Sequence, residues 1–205
     1  MAPCCTSPSP AQPFGIAVLL CNIRGLRSKL DELENLIRDR RPHLVALTET
    51  WLSNDVLNAE VLFPGYECLR SDRCSRTGGG VLIYYLSDLC VTLLDSHQNA
   101  SGTEEFLCCR VRCGSKTATV AVVYRSPGCD GTDTLHKIAQ WGTRSNCLII
   151  GDFNAPQVSW DSPQCNCPPH TCDRQIWTDP CLPTLPSTPS SGCVSSMASP
   201  AISWT

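Results

Sequence analysis

The sequence predicts an α/β domain. Three observations carry this: a strand–helix–strand pattern in its first third, a series of closely spaced strand patterns in the middle, and a last apolar run, Leu148-Ile149-Ile150, that stops at Gly151-Asp152-Phe153-Asn154. Strands separated by a helix of a few turns pair in parallel, whereas strands joined by short turns make an antiparallel meander. The 205 residues suffice for one domain with a sizeable core, and a hydrophobic fraction of 42% is ordinary for a globular chain.

Residues 1–13 are rich in Pro and Ser, lack the basic start of a secretory signal, and read as a disordered leader. Residues 16–21 form a continuous apolar run, the mark of a strand covered on both faces, ending at Asn22-Ile23-Arg24-Gly25. Ser28 offers an N-cap with Asp31 three residues on, and Leu30, Leu33, Leu36 and Ile37 follow at helical spacing. Pro42 stops this helix. Residues 43–47 give the next strand, ending at Thr48-Glu49-Thr50, so Asn22 and Glu49 fall at the carboxyl ends of neighbouring parallel strands.

Phe63-Pro64-Gly65-Tyr66 reads as a turn, and residues 70–77 as a polar loop entering Gly78-Gly79-Gly80, which serve a backbone bend before the strand 81–85. Residues 89–94, 105–113 and 117–124 are three further strands joined by Ser/Gly turns. Asp133 can cap a short helix bearing Leu135, Ile138 and Ala139, and the strand 147–150 follows. Residues 161–205 are crowded with Pro, Ser, Thr and Cys, show no sustained period, and read as disordered.

A net charge of −3 excludes a global basic field for holding nucleic acid. Local positive groups exist in Arg24, Arg27 and Lys29 and in Arg70, Arg73 and Arg76, each reading as part of a solvated loop. The 16 cysteines are scattered, and Cys21, Cys108 and Cys147 fall inside strand-like runs. That distribution points to reduced, buried thiols in an intracellular protein rather than a disulfide framework. The apolar stretch 14–20 is too short to span a membrane.

In open α/β sheets, ligand-handling groups sit past the carboxyl ends of strands. Asp152 and Asn154, two apart on an extended segment, would project to one side with Phe153 turned into the core. The competing reading is a strand followed by an Asx-type turn. Asn22, Glu49, Tyr124, Asp152 and Asn154 together offer the hard oxygen donors that suit a divalent ion such as Mg²⁺. Such an ion draws charge from a phosphate oxygen, and an Asp beside it can orient or deprotonate a water for in-line attack.

These motifs, taken in order, resemble those of the endonuclease/exonuclease/phosphatase superfamily, and within it the apurinic/apyrimidinic-type endonuclease domain of non-LTR (LINE-like) retrotransposons. The resemblance rests on Asn22-Ile23-Arg24-Gly25-Leu26-Arg27-Ser28-Lys29-Leu30-Asp31-Glu32-Leu33, Leu47-Thr48-Glu49-Thr50-Trp51-Leu52, Gly78-Gly79-Gly80-Val81, Val123-Tyr124-Arg125-Ser126-Pro127 and Gly151-Asp152-Phe153-Asn154. It implies a four-layer α/β sandwich, two mixed sheets face to face with helices outside. It implies that Glu49 is the main metal ligand with Asn22 beside it, for Mg²⁺ or alternatively Mn²⁺. Tyr124 would hydrogen-bond the scissile phosphate, Asp152 would activate the attacking water, and Asn154 would hold a phosphate oxygen, as Asn22 also could. DNA is the implied partner, a reverse transcriptase domain is implied in a full-length relative, and a nuclear location follows by the same resemblance.

The sequence also departs from the family. The family closes its site with a late Ser-Asp-His segment and an earlier Asp on another strand, and no Ser-Asp-His occurs here. His170 and His97, the latter in Asp95-Ser96-His97, read as loop histidines. The final strands expected after about residue 160 are not found, so the sandwich is expected to be incomplete and DNA cleavage weak or lacking. The implied organisation is a leader at 1–13, a partial family domain at 14–160 and an aberrant tail at 161–205. Two other readings stay open: a small-molecule phosphodiesterase or phosphatase of the same superfamily, and a non-catalytic nucleic-acid- or zinc-binding fragment using Cys165, Cys167, His170 and Cys172, whose spacing is tighter than that of common zinc sites.

Overall fold

The computed structural model describes residues 15–73, 78–155, 158–159 and 164–165. The expected leader and most of the expected tail, including His170 and the Cys/His cluster past Cys165, lie outside the described residues.

Strand β1 (Val18–Asn22), helix α1 (Leu30–Arg40) and strand β2 (Leu44–Thr48) form the anticipated unit, with β1 and β2 parallel. Strands β3 (Tyr66–Ser71) and β4 (Val81–Leu86) complete a sheet of order β1-β2-β4-β3. A second sheet, order β5-β6-β7-β8, contains the meander β5 (Cys90–Gln98), β6 (Glu104–Cys113) and β7 (Lys116–Arg125). Helix α2 (Thr132–Gly142) then carries the chain across to β8 (Cys147–Asp152), parallel to β7. A two-residue pairing of β9 (Val158–Ser159) with β10 (Gln164–Cys165) extends regular structure past Trp160.

Period-2 alternation builds the layers. Leu44 and Ala46 of β2 and Val81 and Ile83 of β4 face Leu107, Cys109, Val120 and Val122 across the gap between the sheets. Val45, Leu47, Leu82 and Tyr84 point the other way, onto Leu33 and Ile37 of α1 and Leu26 just before it. Phe106, Cys108, Ala121 and Val123 likewise meet Ile138 and Trp141 of α2. The result is four layers, helix–sheet–sheet–helix, and β1 is covered on both sides by Leu19 and Cys21 against one cluster and Val18 and Leu20 against the other. None of the described helices is long and apolar enough to cross a membrane. Burial pushes the Cys108 and Cys109 thiols up to about 12, so they act as small apolar groups here.

Several local expectations are corrected. Ser28 does not cap α1. It lies in a 3₁₀ turn (Leu26–Lys29) and donates to the Gly25 carbonyl, while the N-cap of α1 is Lys29, which makes no side-chain capping bond. Helix α2 starts from Gly131 in the left-handed region, and Asp133 instead meets His97 Nε2 at 3.2 Å. His97 is in strand β5, stacked on Phe106, rather than in a loop. Residues 70 and 71, read as loop, belong to edge strand β3. There Tyr66 is buried, and the Arg70 side chain is tied to Asp72 and to the Val56 and Ser53 carbonyls. Arg70 and Arg73 are therefore not a solvated basic patch. Arg73 is 7% exposed and ion-paired with Glu105.

Candidate active site

The carboxyl ends of β1 and β2 in one sheet meet those of β7 and β8 in the other. Three polar ties cross the gap there. Asn22 Nδ2 donates to Asp152 Oδ2 at 2.8 Å. The Tyr124 hydroxyl is hydrogen-bonded to the Glu49 carboxylate. Arg73 Nε donates to Glu105 Oε1, and both of those side chains are buried. Tyr124 and Asp152 are register partners on β7 and β8, and Asn22 is the partner of Thr48, next to Glu49. The structure thus brings Asn22, Glu49, Tyr124 and Asp152 onto one rim.

Glycines permit this close approach at two places. Gly151 has φ +150, and a Cβ there would lie 1.9 Å from the Val123 carbonyl oxygen, so only glycine lets β8 run against β7 just before Asp152. Gly79 has φ +72, and its Cβ would collide with the Arg73 guanidinium. The Gly79 N–H donates to Glu49 Oε2 at 3.1 Å, and the Gly80 N–H to Glu105 Oε2 at 2.6 Å. The glycine run therefore shapes a bend, as expected, and also supplies two backbone donors.

Glu49 is half-buried, which opposes its ionisation. The hydrogen bonds from Tyr124, from Trp51 Nε1 at 2.6 Å and from the Gly79 N–H, with the Arg73 charge, outweigh that burial and hold its carboxyl below the usual range. Tyr124 moves the opposite way: burial and its bond to the Glu49 carboxylate raise it, so it stays a neutral donor at neutral pH. Its ring also lies 5.4 Å from the Arg73 guanidinium carbon.

Asn154 sits differently from the extended projection expected of it. Its φ is +43, its N–H donates to Asp152 Oδ1 at 3.2 Å, and its Nδ2 donates to the Arg125 carbonyl at 2.6 Å. Strand β8 ends at Asp152 and the chain turns, so the Asx-type reading describes the backbone. The buried Arg125 fixes this turn by donating to the carbonyls of Phe153 at 2.6 Å and Asn154 at 2.7 Å. Phe153 is turned into the core as anticipated, at 7% exposure.

Beside these groups opens a cavity of about 450 Å³, lined by Glu49, Trp51, Arg73, Thr103, Tyr124 and Ser126 among others. Non-glycine residues with positive φ cluster at this rim in Glu49, Trp51 and Asn154. Such conformations persist where surrounding contacts over-determine them, commonly at functional sites. The sequence reading missed Arg73, Glu105 and Arg125 as parts of this rim. One signal for Glu105 was available: it falls in period-2 phase with Leu107 and Cys109, the inward face of β6.

Two sheets thus stack with two carboxylates, two amides and a tyrosine where their strand ends meet. The chain belongs to the Endonuclease/Exonuclease/phosphatase family, which it matches over residues 19–193. No curated protein matches it. Among solved structures, it is similar to the 3′ phosphatase NExo from Neisseria bound to product DNA hairpin, at 19% identity and TM-score 0.53, covering 82% of this chain and 70% of that one. It is similar to an AP endonuclease from Archaeoglobus fulgidus at 16% identity and TM-score 0.54, covering 80% and 69%. It is also similar to the endonuclease domain of TRAS1, a telomere-specific non-LTR retrotransposon, at 17% identity and TM-score 0.51, covering 70% and 62%. At such identities the likeness is one of fold, and the chain spans less than two thirds of the TRAS1 domain.

Proposed function

We propose that this chain is a retroelement-type, divalent-metal-dependent DNA endonuclease domain that hydrolyses a phosphodiester. The observation that carries the reading is the convergence of Asn22, Glu49, Tyr124 and Asp152 from four strand ends of two sheets onto one rim.

The donor set fits a hard divalent cation such as Mg²⁺, with Mn²⁺ as an alternative. Glu49 is held ionised, Asp152 lies on the same rim, and Asn22 Oδ1 is a buried acceptor with no partner. Among the described residues no group of three or more His, Cys, Asp or Glu side chains converges. Glu49 and Asn22 would therefore hold the ion, which when bound supplies Lewis-acid polarisation of a phosphate oxygen. Tyr124 is neutral, and its single O–H is given to Glu49 in the free chain; with that carboxylate turned to the ion, the O–H would be released to donate to a non-bridging oxygen of the phosphate. Asp152, oriented by Asn22 Nδ2 and the Asn154 N–H, accepts a proton from the attacking water. Asn22 and Asn154 are the amides available to the phosphate, with one Asn154 donor hydrogen committed to Arg125.

As an isolated polypeptide the chain acts slowly. Among the described residues the histidines lie elsewhere: His43 accepts the Ala17 N–H, His97 pairs with Asp133, and His136 is exposed on α2. Loss of one preorganised donor to the developing charge costs roughly 10²–10³ in rate. In a full-length relative the domain would act in the nucleus alongside a reverse transcriptase. The test is nicking of supercoiled plasmid with Mg²⁺ beside an Asp152→Ala control. Slow nicking that vanishes in the control supports the reading. Intact plasmid together with hydrolysis of an inositol or lipid phosphate would replace DNA with a small-molecule substrate.

A further inference from the structure

Trp51 stands out on this rim. It is 50% exposed, whereas the other Phe, Tyr and Trp side chains among the described residues are buried. Its φ of +56 is an outlier for a bulky side chain. The backbone is nevertheless pinned, because the Trp51 N–H donates to the Gly79 carbonyl at 2.9 Å. The indole Nε1 is pinned too, on Glu49 Oε2 at 2.6 Å. One side of the ring system lies against Gly25, where a Cβ would stand 2.9 Å from Trp51 Cε3, and Nε1 is 3.7 Å from the Cβ position of Gly78. Two glycines with positive φ therefore bracket the indole and leave it space. Trp51 also lines the cavity shared with Glu49, Arg73 and Tyr124.

A solvent-facing indole held at backbone, edge and one side is more than a surface residue that failed to bury. Its apolar surface is kept in water at a hydrophobic cost, in a backbone conformation that itself costs stability. A ring fixed in this way loses little further conformational entropy when a flat partner settles on it. The partner must reach the indole while an anionic group lies beside Glu49 and Tyr124. A nucleotide satisfies both demands, with its phosphate at the carboxylate rim and its planar base a few ångströms away.

We infer that Trp51 is the nucleobase platform of this site, stacking on the base of a nucleotide next to the phosphate held at the Glu49–Tyr124 rim. This rests on the phosphodiesterase reading above and adds a recognition element to it. The base must be unstacked from its neighbours to meet the indole, so the proposal favours single-stranded or locally opened DNA over an intact duplex. Stacking on an aromatic ring is tolerant of sequence, because every base has a π-face.

The test uses the full chain and two end-labelled strands of equal length: an oligothymidylate, and a base-free strand of abasic sugar phosphates carrying the same charge. Binding is read by fluorescence anisotropy in Mg²⁺ buffer, and stacking by quenching of indole emission. Trp51→Leu is expected to weaken oligothymidylate binding by roughly 5- to 150-fold, the worth of one base–aromatic stack. It should leave the base-free strand unaffected. Trp51→Phe keeps an aromatic face but removes the N–H on Glu49, and should retain most of the affinity. Equal weakening on both strands, or a Phe variant as weak as the Leu variant, would overturn the proposal and assign Trp51 to holding Glu49 in place. A parent that binds both strands equally well overturns the stacking alone. A parent that binds neither overturns the nuclease reading with it.

Discussion

Replacing Glu105 with alanine tests what holds the two sheets in alignment at their carboxyl ends. Glu105 is 1% exposed and Arg73 is 7% exposed, and each lies on a different sheet or its flanking loop. Glu105 accepts from Arg73 Nε through one oxygen and from the Gly80 N–H at 2.6 Å through the other. Glu105→Ala leaves the buried Arg73 without its direct ion-pair partner and the Gly80 N–H without its acceptor. Breaking a buried pair from one side costs about 3–5 kcal/mol. At about 2–4 °C per kcal/mol for a chain of this size, the melting temperature should fall by roughly 6–20 °C. The double variant Arg73→Met/Glu105→Leu removes both charges, so its loss should be smaller than the sum of the two single losses. Urea and thermal unfolding followed by circular dichroism measure both quantities. A Glu105→Ala variant within about 1 kcal/mol of the parent would match an exposed ion pair and show that Glu105 does not hold the sheets together.

Further outcomes follow from the same rim. Gly151→Ala should cost on the order of 3 kcal/mol or more, because a Cβ 1.9 Å from the Val123 carbonyl must push β8 off β7; a variant of parental stability in urea would contradict that packing. Glu49 has a folded pKa below its unfolded one, so its charge adds stability that is fully present above about pH 4.3 and is lost as pH falls through the folded value. The stability gap between parent and Glu49→Gln should accordingly narrow in acid, and a gap that stays constant with pH would count against the bonds assigned to Glu49. All four tyrosines are raised, chiefly by burial, Tyr85 to about 12, so ultraviolet titration should show no phenol ionising near the ordinary value of about 10 while the protein is folded.

The parts of the fold legible in the sequence are those written in local periodicity. The apolar run ending at Asn22, the helical spacing of Leu30, Leu33 and Ile37, and the apolar run ending at Gly151-Asp152 each declare an element and its exit point. Because strand ends carry the polar groups, the same signals located Asn22, Glu49, Tyr124 and Asp152. Strand β3 escaped notice because Tyr66-Glu67-Cys68-Leu69-Arg70-Ser71 is an edge strand, with charge at positions that a central strand would make apolar. The Arg73–Glu105 pair was hidden for another reason. Its members are 32 residues apart and meet only when two sheets stack, which no window of sequence records. The left-handed backbone at Glu49 and Trp51 was equally out of reach, since neither residue announces it as a glycine would.

In the proposed function Glu49 and Asn22 hold one divalent cation, with Asp152 beside them on the rim to take a proton from water. Calorimetric titration of Mg²⁺ into the full chain, into Glu49→Gln and into Asn22→Ala tests it most directly. A single site is expected in the parent, weakened about tenfold or more when the Glu49 charge is removed, since hard cations are held chiefly by ionised oxygens. A smaller loss is expected when the neutral Asn22 oxygen is removed. No heat of binding in the parent, or equal affinity in parent and Glu49→Gln, would contradict it.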